Sequence, residues 1–549
     1  MLKIKKKAAL ILAGIALFLG VAFTQVDDYF EVSKNLDIFS TVYKEVNVNY
    51  VDEVKPGLLI REAIDAMLLS LDPYTNFYSE AQAEDYRFQV TGSYGGIGAS
   101  VRKKGEDLVI DQPYEGFPAQ KADLRAGDIL ISIDGKSVVG KQSHDLNELL
   151  KGTAGTTVVL DIERPGVGKK EITLQRAQIR IKNVPYFGMV NNNTGYIKLT
   201  GFTPDAGKEV KEATEELIKS GAKYLILDLR GNGGGLLHEA VNIVNVFVKK
   251  GQLVVSTKGK EKENDRTYRT LNAPVSTSIP LAVLIDGGSA SASEIVSGTI
   301  QDLDRGVLIG VRSFGKGLVQ SSRILSYNTQ MKITTAKYYI PSGRCIQKLD
   351  YTHKKDGHAT SVADSLKQVF YTVNKRKVMD GEGVSPDIIK GSSDRSKIAA
   401  ALLKNDIIFD YATLYRNRIN EISAAKDFTI TSPDFQEFKS FLSDKEYGYT
   451  TETEKALEEL EMKADDESYL ASIKPKIDEL KKVFNVNKNA DLDRHQREIS
   501  NLLLTEIASR YYFDKALVEA TFAFDNDIQA ALELFNNRAS YDALLAGKN

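Results

Sequence analysis

Between residues 195 and 387 the chain alternates short apolar runs with amphipathic stretches, and glycine marks the changes of period. Tyr224-Leu225-Ile226-Leu227-Asp228-Leu229 and Leu281-Ala282-Val283-Leu284-Ile285 read as strands, while residues 207–219, 236–247 and 294–302 read as helices. Strands and helices in alternation confine this region to an α/β layer structure.

Outside that region the period changes. From residue 37 to 71 the apolar spacing is helical (Phe39, Val42, Tyr43 and Val46, then Leu58, Leu59, Ala63, Ile64, Met67 and Leu68), and Leu71-Asp72-Pro73-Tyr74-Thr75 closes it. Residues 90–178 read as short strands with glycine-rich turns, such as Leu108-Val109-Ile110 and the Asp134-Gly135 turn. After residue 392 helices return, over 398–403, 434–442 and 502–535. The acid-rich stretch 452–467 reads as a solvated helix face. At 549 residues there is room for three or four domains. The expected fold is multidomain α+β: an N-terminal segment 1–24, a helical region 25–88, a strand-rich domain 89–178, an α/β core 179–390 and a helical region 391–549.

Composition removes several function classes. Lys+Arg 72 against Asp+Glu 74 leaves a net charge of -2, which argues against a nucleic-acid partner. The single cysteine, Cys345, excludes an internal disulfide framework and any CxxC cluster, and with five scattered histidines no metal or other cofactor is expected. Lys3, Lys5, Lys6 and Lys7 precede an uncharged stretch over residues 8–23, with Asp27 and Asp28 beyond it. This describes a secretory signal cleaved near Gly20-Val21-Ala22, or a signal-anchor. The remainder is expected outside the cytoplasmic membrane, touching it only through that segment.

Three pieces of the α/β region bear on chemistry. Asp286-Gly287-Gly288-Ser289-Ala290-Ser291-Ala292-Ser293-Glu294 and Asp228-Leu229-Arg230-Gly231-Asn232-Gly233-Gly234-Gly235 each lie between a strand and a helix; Ser313-Phe314-Gly315-Lys316-Gly317-Leu318-Val319-Gln320 follows the first. A serine at a strand-to-helix junction offers its hydroxyl where free N–H groups stabilise negative charge. Ser291-x-x-Glu294 also fits a capping box. The glycine run 233–235 suits a turn, a phosphate cradle or an oxyanion hole; Leu236-Leu237 follows it, where a P-loop needs Lys-Ser or Lys-Thr. His238 and Asp228 leave a Ser-His-Asp triad open, and Ser289 and Ser293 are rival hydroxyls.

In order, these motifs resemble the C-terminal processing, or tail-specific, serine protease family. The resemblance runs from Leu71-Asp72-Pro73 to Gly383-x-x-Pro386-Asp387. It implies an N-terminal helical piece, a PDZ domain and an α/β (ClpP/crotonase-like) protease core. It implies Ser291 as nucleophile, Lys316 as general base and Gln320 as the lysine's support. It also implies an oxyanion hole from the backbone N–H groups of Ala292 and of one glycine of the run, for which Gly234 is chosen. A lysine with a pKa near 10.4 is neutral about once in a few thousand at pH 7, so such a base must be desolvated.

Tyr94-Gly95-Gly96-Ile97-Gly98 resembles the PDZ carboxylate-binding loop, implying that Gly95, Gly96, Ile97 and Gly98 converge on a terminal carboxylate while the peptide adds as a strand. Ala122-Asp123-Leu124 departs from the family's usual Ala-Gly-Leu and puts that turn in question. The expected partners are protein or peptide C-termini; an adaptor protein and a homodimer stay open. The competing readings are a non-catalytic PDZ scaffold on an inert protease fold and an esterase.

Overall fold

The computed structural model describes residues 29–548 except 81, 84–85, 87–90, 142–148, 356 and 392–394. The expected N-terminal segment 1–24 lies outside the described residues. Among the described residues no helix is long and apolar enough to cross a membrane. The fold is multidomain α+β, and the chain divides into two compact bodies.

Among the described residues, one body comprises residues 29–80 together with Gln320–Thr334. The helical segment expected over 37–71 consists of two helices, residues 29–49 and Pro56–Leu69. Pro56 opens the second at its first turn, where a missing N–H costs nothing. Asn76–Tyr78 pairs antiparallel with residues 330–332.

The second body, Ala81–Val319 and Thr335–Asn549, contains the α/β core. Six strands run in the order Tyr186–Met189, Thr194–Lys198, Tyr224–Asp228, Leu281–Ile285, Val307–Gly310 and Ile388–Ile389. All neighbours are parallel except the first pair. Successive strand side chains point to opposite faces. Leu225, Leu227, Leu281, Val283 and Ile285 therefore face one cluster, with the helices Ala206–Lys219, Leu237–Phe247 and Ala292–Asp302. Ile226, Ala282, Leu284, Val307 and Ile309 face another, closed by the helices Asn526–Asn536 and Arg538–Leu545. Tyr541 anchors that cover: its buried hydroxyl accepts the Leu281 N–H (2.9 Å) and donates to the Leu281 carbonyl (3.1 Å).

The PDZ-like sheet has the order Ala99–Lys104, Asp107–Pro113, Ile129–Ile133, Thr157–Arg164 and Gly168–Gln175, so Ala99–Lys104 is an edge strand. Ser93–Gly96 pairs separately with Ala177–Arg180. Asp123 takes the left-handed turn that glycine would fill, at φ +58°. Arg125 Nε (2.8 Å) and Arg164 Nη1 (2.9 Å) hold its carboxylate there. Burial opposes that charge, but the two arginines outweigh it and lower the pKa.

The C-terminal helices Lys397–Lys404, Ile407–Arg418, Ser432–Phe441 and Gln496–Glu519 build their own core around Phe435, Phe438, Leu503 and Ile507. The expected continuous helix over 502–535 is interrupted, with Phe513 at φ +52° and a second helix from Asn526. This domain grips the PDZ-like sheet. Arg102 pairs with Asp406 (2.9 Å), Lys104 with Asp410, and Arg102 and Arg510 both stack on Phe409.

Candidate active site

The three glycine-rich pieces meet at the strand ends of the second body. The loop after Tyr224–Asp228 and the loop after Leu281–Ile285 are stitched by Asn232. Its carbonyl accepts from Ala290 N (3.0 Å) and Ser293 Oγ (2.8 Å), while its amide donates to the Leu199 carbonyl (2.8 Å). Asp286 Oδ1 adds bonds from Gly231 N (2.8 Å) and Gly288 N (2.9 Å). The third loop joins through Phe314 N, which donates to the Ser289 carbonyl (3.0 Å).

Ser291 stands at the N-cap of Ala292–Asp302 with φ +55° and ψ -110°. For a serine this backbone costs about 1–3 kcal/mol, so the surroundings must impose it. They do: the Ser291 N–H donates to Glu294 Oε2 (2.8 Å), and its carbonyl accepts from the N–H groups of Glu294 and Ile295 (2.9 Å each). Ser291 is half-buried, whereas Ser289 and Ser293 are fully buried. Ser289 Oγ lies 2.9 Å from the Leu229 carbonyl and Ser293 Oγ donates to Asn232. Burial and backbone bonds thus separate Ser291 from its rivals.

Lys316 is half-buried, and its main chain is fixed by the residues that fix Ser291. Glu294 Oε2 accepts the Lys316 N–H (2.9 Å); Glu294 Oε1 takes the Gly315 N–H (2.7 Å) and the Ser313 hydroxyl (2.5 Å). Four donors thus converge on one fully buried carboxylate. Desolvation still prevails over all four and raises its pKa to about 7. Tyr338 Oη lies 2.6 Å from the Lys316 carbonyl and 3.1 Å from the Ser291 carbonyl. Burial and then the Glu294 charge push this phenol well above its ordinary range, so it remains a donor. Sequence reasoning saw Glu294 only as a capping residue and missed Tyr338, which comes from a strand with no motif of its own.

Gly234 has φ +98°, and a Cβ there would lie 2.9 Å from Ala292 N and 3.0 Å from Ser291 Cβ. Only glycine lets this loop close over the serine junction. The Gly234 N–H donates to Asn232 Oδ1 (2.9 Å), so it is already engaged. Ala292 occupies the first helical position, whose N–H has no partner within the helix.

The triad alternative is not assembled. His238 is 62% exposed, with Glu239 beside it, 3.4 Å away. Asp228 is fully buried, yet Arg230 and Lys198 hold its carboxyl well below the usual carboxylate range, and Tyr196 Oη adds a bond of 2.5 Å. It is a structural carboxylate. Gln320 belongs to the other body, where its Nε2 donates to Thr334 Oγ1 (3.3 Å).

In the PDZ-like loop, Gly95 and Gly96 pair with Gln178 and Ala177, while Ile97 and Gly98 lie between two strands and outside both. The Gly95 carbonyl accepts from Gly152 N (3.0 Å) and the Ile97 carbonyl from Ala119 N (2.8 Å). Gly98 has φ +77°, and a Cβ there would come within 2.4 Å of Phe117 Cβ.

Known proteins add a family. Residues 193–354 match the model of peptidase family S41, residues 109–164 that of a PDZ domain, and residues 398–535 that described as "Probable PDZ-protease, C-terminal helical domain". Over 324 residues the chain is 37% identical to a carboxy-terminal-processing protease of Bartonella bacilliformis, covering 58% of this chain and 74% of that one. Over 313 residues it is 34% identical to the carboxy-terminal processing protease CtpA of Bacillus subtilis, covering 57% and 66%. The solved photosystem II D1 C-terminal processing protease is 28% identical at a TM-score of 0.36, covering 64% of this chain and 92% of that one. The chain belongs to the C-terminal processing serine proteases of peptidase family S41.

Proposed function

We propose that this chain is an exported endopeptidase that cuts proteins carrying a recognised C-terminal tail, with Ser291 as nucleophile, Lys316 as general base and Gln320 as support for the lysine. One observation carries the dyad. Glu294 and Tyr338 each lie against the main chain of both Ser291 and Lys316, so two buried struts hold the residues as a pair.

The neutral Lys316 amine takes the hydroxyl proton as Ser291 Oγ attacks the scissile carbonyl. The amine then returns that proton to the leaving nitrogen, and an acyl-enzyme remains. The same amine next activates the water that releases the acyl group. Negative charge on the tetrahedral oxygen is met by the Ala292 N–H at the positive end of its helix. Gly234 supplies the second donor once its N–H leaves Asn232 Oδ1. The loop Gly95, Gly96, Ile97 and Gly98 receives the tail's carboxylate, and the tail adds to the edge strand Ala99–Lys104. Residues 1–24 direct export, and the working domain bounds fall after residues 24, 88, 178 and 390.

A fluorophosphonate probe tests the dyad and separates it from an inert scaffold. Purified protein becomes labelled at Ser291, while Ser291→Ala and Lys316→Ala do not, with folding verified by circular dichroism. Labelling that persists in Lys316→Ala removes the mechanism.

A further inference from the structure

Where the PDZ-like domain meets the C-terminal helices there is a cavity of about 120 Å3, none of whose walls belongs to the serine and glycine loops. Asp123, Arg125, Arg416, Ser509, Arg510 and Phe513 are among its lining residues, Arg416 on the helix Ile407–Arg418 and Arg510 on Gln496–Glu519. Its charged walls are three guanidiniums and one carboxylate, an excess of two positive charges. Arg125 is occupied: Nε (2.8 Å) and Nη2 (3.2 Å) donate to Asp123, and Nη1 donates to Asn417 Oδ1 (3.4 Å).

Arg416 and Arg510 are not. The Arg510 side chain is 6% exposed, yet its Nε and Nη2 have no hydrogen-bond partner among the described residues, and neither has the buried Arg416 Nη1. Nε and Nη2 form the edge with which arginine grips an oxyanion in two parallel bonds. Arg164 turns that edge to Asp128 (2.7 and 2.8 Å), and Arg230 turns it to Asp228 (3.1 and 2.7 Å). Around Arg510, Glu506 Oε1 lies 2.8 Å from Nη2 but out of line for a hydrogen bond, and Nη1 donates to Ser509 Oγ (3.4 Å). Buried polar groups are bonded as a rule, and a guanidinium taken out of water needs a counter-charge. Burial lowers the pKa of both arginines, and for Arg416 the Arg125 charge lowers it further. Aromatic rings hold both planes: Arg416 lies 4.6 Å over Tyr511 and Arg510 lies 4.5 Å over Phe409.

We infer that this cavity is a binding site for one tetrahedral dianion, inorganic phosphate or sulfate, held by Arg416 and Arg510 beside the Asp123 turn. A dianion neutralises the charge excess, whereas a single carboxylate leaves one positive charge over. The volume takes one such ion. It falls short of the roughly 300–1,000 Å3 of pockets for larger organic ligands, which excludes a nucleotide. Once bound, the ion ties two helices of the C-terminal domain together at their junction with the PDZ-like domain.

Isothermal titration calorimetry of the full chain tests this without turnover, in HEPES–chloride at pH 7.5 and constant ionic strength. Phosphate binds at one saturable site per chain, sulfate competes with it, and acetate at the same concentration does not. Phosphate also raises Tm, and chloride of equal ionic strength does not. Arg416→Met and Arg510→Met each weaken phosphate at least about tenfold. Arg510→Lys does not restore it, since an ammonium has no fork. Arg418→Met removes an equal charge from an exposed position on the same helix and keeps the wild-type Kd. If Arg510→Met does not fold, the half-buried Arg416→Met and Arg510→Lys decide. Wild-type affinity in either arginine variant, or an equal loss in Arg418→Met, means an adventitious ion only and overturns the inference. The absence of saturable heat, or acetate binding as tightly as phosphate, overturns it as well.

Discussion

Replacing Glu294 by glutamine separates what the carboxylate's shape does from what its charge does. Its folded pKa of about 7 lies above the ordinary 4.5. Between those values the folded protein holds a proton that the unfolded chain releases. The stability linked to this group is therefore full below pH 4.5 and is lost as pH rises through about 7. With ~1.4 kcal/mol per tenfold change in proton affinity, the loss amounts to about 3 kcal/mol for a group this deeply buried. Glutamine cannot titrate, so this pH dependence disappears with it. The amide also meets four donors with a single acceptor oxygen. Ser313 can turn its hydroxyl, but at least one backbone N–H is left facing an NH2, at a cost of about 1–3 kcal/mol. Urea unfolding of both proteins at intervals from pH 5 to pH 8, followed through the transition of the α/β core, checks the reasoning. The gap between wild type and Glu294→Gln should narrow by about 2–3 kcal/mol on going from pH 5 to pH 8. Parallel stability curves would show that Glu294 does not titrate there, and the balance between desolvation and its four donors would be misjudged.

Lys316→Ala should abolish casein cleavage as fully as Ser291→Ala, and Lys316→Arg should not rescue it because guanidinium stays charged; a turnover assay with active-site titration decides. Amidating a substrate's C-terminus removes a charge-assisted acceptor, so cleavage at low substrate concentration should fall about five- to a hundredfold. Equal cleavage of acid and amide peptides would remove the tail reader and spare the dyad. Tyr541→Phe leaves the Leu281 N–H without its buried acceptor and should cost about 1–3 kcal/mol by calorimetry, with labelling of Ser291 unchanged at low temperature.

The strands and helices of the core were legible because local pattern and global burial agree there. Leu225 to Leu227 and Leu281 to Ile285 are apolar at every position since both faces of their sheet are covered. What covers the second face was not legible: nothing in residues 526–545 names a sheet as their partner. The loops carrying Ser291 and Lys316 stood out through glycine, but the residues joining them did not. Glu294 satisfies a local capping pattern while its other three donors come from about twenty residues away, and Tyr338 lies on a strand of ordinary alternation. Phe513 breaks a helix with neither proline nor glycine at the break. Asp123 shows the opposite case, in which a residue unsuited to its turn keeps the geometry because two arginines bind it.

The covering of the central sheet by Asn526–Asn536 and Arg538–Leu545 has a consequence for biosynthesis. The strands that carry the candidate site are translated long before those helices. Until the helices arrive, Ile226, Ala282, Leu284, Val307 and Ile309 form an apolar surface open to any neighbour. Such surfaces on partly made chains invite aggregation. A nascent protease of this design therefore depends on protection while it grows, and it gains a settled catalytic sheet only after synthesis has passed through its helical domain. Chain order itself leaves the cover of this sheet among the last pieces of the protein to be made, so the face opposite the helices of the first cluster is closed only when synthesis is nearly complete.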